Sequence, residues 1–320
     1  MATSLKLAFA TVLSVASLSS HATELKTSTI NGQIRKLPMI QLKIRPANET
    51  FAFTQSMHTP TSADISNLMQ PVGDQGQLGT CATFASVGMV ERYTGASLSE
   101  ECLLRFRGGY DGDFPEKVTN DIAKFGLTAP KSFTLASGNK VDCNYSDKMR
   151  SRDLNQDQYM ELVNNAHMSK DGAGFTFMNA NDTATYDSKR NLIDATMGDN
   201  GASFEYIKSQ IDKGNPVVIG IAVPDSDDNS KAFLGGNGKH LIDVTPTDNC
   251  NGMPVQAGEE VSDAYCPGHA IILVGYDDVK KEFKFKNSWG TSWGYNGYGR
   301  FSYDYVKTYR WGPTTVVANQ

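Results

Sequence analysis

Cys81 is preceded by Asp74-Gln75-Gly76-Gln77-Leu78-Gly79-Thr80 and followed by Ala82-Thr83-Phe84-Ala85. Far downstream come Pro267-Gly268-His269-Ala270 and then Phe285-Lys286-Asn287-Ser288-Trp289-Gly290-Thr291-Ser292-Trp293-Gly294. A thiol, an imidazole and an amide are the parts needed for acyl transfer through a cysteine: a nucleophile, its base, and a group that orients the base. Alone, each residue has a duller reading. A cysteine at a helix start is commonly packing or half a disulfide, and a single histidine is commonly incidental. Their joint occurrence in these glycine-bounded segments favours catalysis.

The spacing assigns roles. If Cys81 opens a helix, the positive end of the dipole and the free N–H groups there favour thiolate over thiol. A tetrahedral intermediate then needs oxyanion donors. The backbone N–H of Cys81 is one, and the side-chain amide of Gln75 is the candidate for the second. Gly76 and Gly79 allow the intervening loop to turn tightly. His269 is the base and later the acid that protonates the leaving amine. Asn287 accepts from the ring, and Trp289 covers that hydrogen bond. This arrangement predicts a thiolate–imidazolium pair.

These segments resemble those of papain-family (C1) cysteine peptidases. The family carries Q-G-x-C-G-S-C-W at the nucleophile, G-H-A at the histidine and N-S-W-G-x-x-W-G at the asparagine. Gln75, Cys81, His269, Asn287, Trp289 and Trp293 match position by position. Leu98-Ser99-Glu100 resembles the stretch after the family's central helix. Gly108-Gly109-Tyr110 resembles its substrate-pairing G-G motif. The resemblance runs from about Asp64 to Arg300. It implies a two-lobed α+β papain-like fold, hydrolysis of polypeptide substrates through a thioester, and no cofactor. It also implies substrate contacts at Gly108, Gly109 and Trp289. Leu78, Thr80 and Ala82 depart from the pattern, where a cysteine, a serine and a tryptophan are usual. One family disulfide is therefore absent and the leaving-group side of the cleft is less aromatic. Two other readings of the same residues are an acyl transferase, in which an amine replaces water, and an inactive binding protein on the same fold.

The elements that must position these groups follow in order. Phe84, Val87, Val90 and Tyr93 recur at helical spacing after Cys81, with Thr80 placed as N-cap and Gly95 as the stop. Phe114–Phe125, closed by Gly126, and Phe204–Asp212, stopped before Pro216, read as further helices. Val217–Val223, Ala270–Tyr276, Glu282–Asn287 and Gly299–Tyr303 read as strands. Helices followed by strands indicate an α+β class. The polar stretches Ser151–Gly201 and Asp225–Ala264 read as loops or insertions.

The N-terminus differs in kind. Lys6, the apolar run Leu7–Leu18 and the small residues Ser19-Ser20-His21-Ala22 have the form of a secretory signal peptide cut after Ala22. Residues 23–59 follow as a leader. Alternation over Ile34–Ile44, interrupted by Pro38, predicts an edge hairpin. That leader is either an inhibitory propeptide or a permanent structural arm, ahead of a peptidase domain spanning 60–320. Outside the signal no apolar run is long enough for a membrane anchor, so the expected location is the periplasm or the medium.

In an exported protein the five cysteines leave one thiol unpaired. If that is Cys81, the other four allow three connectivities, the simplest being Cys102 with Cys143 and Cys250 with Cys266. Without a C-x-x-C pair a metal site is not indicated. A net charge of −5 with no basic run argues against nucleic acid as a partner. Asn48, Asn144 and Asn181 head N-x-S/T triplets that matter only where the host glycosylates.

Overall fold

The computed structural model describes residues 25–30, 33–44, 60–108, 111–128, 133–143, 153–165, 177–180, 185–186, 192–194, 204–225, 233, 239–245, 247–250, 253–254 and 262–317. The signal segment 1–22, Gly109 and the three N-x-S/T asparagines lie outside them.

The leader forms two strands, β1 (Leu25–Ile30) and β2 (Gln33–Ile44), and β3 is the short Ser62–Asp64. The helical part follows: α1 (Cys81–Thr94), α2 (Glu100–Arg107), α3 (Pro115–Phe125) and α4 (Gln156–Asn165). Then come α5 (Phe204–Asp212), β4 (Val217–Ala222), β5 (Ser262–Asp277), β6 (Glu282–Lys286), β7 (Tyr298–Ser302), α6 (Tyr303–Tyr309) and β8 (Arg310–Val317). One sheet runs β7–β6–β5–β4–β8, antiparallel at each of these junctions, and β3 also pairs with β5. The α+β expectation holds.

Local chemistry explains the helix ends. Gly95 and Gly126 terminate α1 and α3 at positive φ, 66° and 75°, a conformation that L side chains avoid. Ser99 caps α2 by accepting from the Cys102 N–H at 3.0 Å. Thr80 stands at the N-cap of α1, but its hydroxyl makes no capping bond. Its carbonyl accepts from Thr83 and Phe84 instead. From Cys81 to Glu91 every residue of α1 is buried. This is a core helix, lying against β5, rather than a surface one.

Several elements differ from the sequence reading. α4 forms inside the stretch expected as loop, because Tyr159, Leu162 and Val163 bury one face. α2, α6 and β8 were not anticipated. The strand expected at Ala270–Tyr276 begins eight residues earlier, at Ser262. The reason is the leader. β2 pairs with β1 through Pro38 and then, from Met39 to Ile44, with residues 262–267 of β5. The hairpin is therefore not a simple edge, and Pro38 falls where the strand changes partner. Both expected disulfides are present: Cys102–Cys143 ties α2 to the loop before α4, and Cys250–Cys266 ties a short strand to β5.

Candidate active site

Cys81 is the one free cysteine, buried at the first position of α1. His269 lies within β5, opposite Ile221 of β4, rather than at a strand start. Asn287 follows the last residue of β6. The His269 Nε2 and Asn287 Oδ1 are 2.8 Å apart, and His269 Nδ1 has no hydrogen-bond partner. The backbone of Ala270, next to His269, hydrogen-bonds to the Cys81 sulfur. Trp289 stacks obliquely on the imidazole, with centroids 4.5 Å apart. Phe233 packs against both, 5.6 Å from His269 and 4.9 Å from Trp289.

Gln75 is fully buried. Its Nε2 donates to the Leu78 carbonyl at 2.7 Å, and its Oε1 accepts from Ser288 Oγ at 2.6 Å. The residue beside Asn287 thus holds the glutamine, a link the sequence reading did not identify. Gly108 ends α2 in the left-handed region, φ 98°, with its N–H on the Leu104 carbonyl. Behind Asn287 a cavity of about 10 Å³ is lined by Glu100, Ala270 and Lys286, among others. That is room for about one water.

The electrostatics run opposite to the thiolate–imidazolium expectation. Burial pushes the Cys81 thiol up to about 11, against hydrogen bonds from Ala270, Ala82 and Cys81 N–H groups that pull it down. Burial likewise lowers His269 to about 4, partly offset by Asn287 and reinforced by the charge of Arg35. Both groups rest neutral. The helix terminus favours thiolate by at most ~2 kcal/mol, and complete loss of water outweighs it.

The leader lies against the segments that carry these groups. The Arg35 guanidinium, 2% exposed, reaches Asp74 Oδ1 at 2.5 Å and the carbonyls of Gly76 at 2.7 Å and Trp289 at 3.2 Å. A Cβ on Gly79 would stand 3.5 Å from the Lys36 carbonyl, and one on Gly268 only 2.6 Å from Ile40. The leader therefore crosses between the nucleophile loop and the histidine strand. Leu37 is fully buried there, and Lys26 pairs with Asp225 across the same contact. Nothing in the sequence singled out Arg35 or Asp74, because a lone arginine in a polar leader carries no pattern.

Residues 62–312 match the model of the Peptidase_C39 like family. The chain belongs to this peptidase family. That family is one of peptidases, and the fold is papain-like. The fold is like that of xylellain, a cysteine protease from Xylella fastidiosa, at a TM-score of 0.50 and 17% identity, over 82% of this chain and 88% of that one. Among curated relatives, an uncharacterized peptidase C1-like protein of Acanthamoeba polyphaga mimivirus is 37% identical over 102 residues, 32% of this chain and 27% of that protein. The gamete and mating-type specific protein A of Dictyostelium discoideum is 22% identical over 242 residues, 75% of this chain and 42% of that protein. The chain thus spans less than half the length of these two relatives. Among the described residues no group of His, Cys, Asp or Glu could hold a metal, and no helix is long and apolar enough to cross a membrane.

Proposed function

We propose that this family member is an exported peptidase, hydrolysing extended polypeptides with Cys81 as nucleophile, His269 as base and acid, and Asn287 as the group orienting the ring. The observation that carries this reading is the divided imidazole: Nε2 engaged by Asn287, Nδ1 unpartnered, and the adjacent Ala270 backbone on the sulfur. A primary amide nitrogen carries two hydrogens. Gln75 gives one to Leu78, and the other serves the oxyanion together with the Cys81 N–H. Attack forms a thioester as His269 protonates the leaving amine, and water then releases the acyl group. Trp289 and Gly108 line the path of the substrate, and Gly109, the other expected contact, lies outside the described residues.

Residues 1–22 serve as the export signal, 23–59 as a propeptide and 60–320 as the peptidase domain. Two disulfides suit an oxidising compartment. The propeptide reading rests on the leader strand that reaches the nucleophile loop through Arg35 and pairs with the histidine strand as far as Pro267. Peptide hydrolysis needs a wet, ionised pair, so this form is latent.

Labelling with a thiol-directed epoxide tests both parts. The wild-type full chain should label slowly at Cys81, and Arg35→Ala, which frees the leader, about tenfold faster or more. Equal rates would remove the inhibitory role. Absence of labelling in both, with both chains folded by circular dichroism, would remove the nucleophile.

A further inference from the structure

The seat of the Arg35 guanidinium belongs to the peptidase body and outlasts the leader's departure. Asp74 supplies a carboxylate, and Gly76 and Trp289 supply carbonyls aimed at one point. Only Gln33, the fourth partner, would leave with Arg35. Asp74 flanks Gln75, and its backbone bridges to Trp289, so the seat adjoins the reacting centre. Its side matters. His269 must face the leaving amine, and Trp289 covers His269, so the chain beyond the scissile bond leaves past Trp289. We infer that, once the leader has left the groove, Asp74 with the Gly76 and Trp289 carbonyls forms a guanidinium subsite selecting arginine in one of the two residues after the scissile bond.

This inference rests on the peptidase and propeptide readings above. Arginine suits the seat better than lysine, because a planar fork can meet the carboxylate and both carbonyls at once. With the leader gone, Asp74 Oδ1 keeps the Gly76 N–H at 2.9 Å, which holds the carboxylate in place. The Asp74 side chain is 42% exposed even with Arg35 seated, so solvent weakens the attraction. Discrimination of about tenfold is therefore expected, not the hundredfold of a fully buried pair.

The Arg35→Ala full chain empties the seat without shortening the protein. Nα-acetyl-arginine amide should bind it at least about tenfold more tightly than the neutral citrulline analogue, read from the Trp289 indole signal by NMR. Asp74→Asn in that background should abolish the difference. In cleavage, paired quenched peptides carrying arginine or alanine at the first or second position after the scissile bond should differ about tenfold in kcat/KM, and Asp74→Asn should bring the ratio near one. Cleavage of both peptides at equal rates, or a preference that survives Asp74→Asn, overturns the subsite and leaves the peptidase reading standing. Binding of the arginine amide without epoxide labelling or cleavage overturns the peptidase reading, and the substrate role of the seat with it. If Arg35→Ala does not fold, Arg35→Gln replaces it in the same measurements.

Discussion

His269 Nε2 sits 2.8 Å from Asn287 Oδ1, and Ser288 Oγ sits 2.6 Å from Gln75 Oε1. Adjacent residues in one loop therefore hold the proposed base and the proposed oxyanion donor. Asn287→Ala should lower kcat/KM roughly 10–100-fold by freeing the ring. Ser288→Ala should act through Gln75 and lower kcat with little change in KM. A Ser288→Ala chain with only KM altered would break the link.

Burial sets a pH signature for Cys81 in the full chain. The Cys81 thiol, raised from 9.0 to about 11, should alkylate with iodoacetamide only as the pH becomes strongly alkaline. Displacing the leader should move the reactive limb toward neutrality, since a wet helix N-terminus and an imidazolium both favour thiolate.

Stability should respond with definite sign. His269 is depressed from 6.5 to about 4, so its contribution is full above 6.5 and lost as pH falls through about 4. Cys81 is raised, so its contribution is full below 9.0 and lost as pH rises through about 11. The urea midpoint of the full chain should fall at both ends, and Cys81→Ala should flatten the alkaline fall alone.

Glu91 on α1 and Lys286 on β6 meet at 3.8 Å, each side chain 5% exposed. Burial raises Glu91 and lowers Lys286. Lys286→Met should cost about 3 kcal/mol, because an unpaired carboxylate is left inside. With Glu91 raised further, the loss should be greater at pH 8 than at pH 5, as the acid ionises. Adding Glu91→Gln should recover most of it in urea unfolding.

The Cys250–Cys266 disulfide closes a 16-residue separation, and Cys266 pairs with Ile40 of the leader. Replacing both cysteines with serine should remove about 3 kcal/mol, lowering Tm by roughly 5–10 °C. It should also hasten epoxide labelling, because the strand that the leader pairs with loosens.

The amino-acid sequence alone marked the candidate reacting set and determined much of the local architecture. Gly95 and Gly126 stop their helices through backbone conformations available to few other residues. Periodic apolar positions mark α1, and Phe204–Asp212 appears with the bounds its pattern indicates. An odd cysteine count leaves one thiol unpaired, and in the structure that thiol is Cys81. All of these signals act within a few residues or through simple counting.

Tertiary structure decided what depends on partners far apart in the chain. α4 was illegible because its buried stripe of Tyr159, Leu162 and Val163 sits in a polar segment, and only the body it packs against makes it a helix. β5 is long because residues 39–44 extend its register, a pairing no local pattern encodes. The burial of Cys81 and His269 reverses the protonation expected from their identities, since desolvation is a property of everything that surrounds a group. Arg35 and Asp74 gain meaning for the same reason: their charges meet only when the leader crosses the groove.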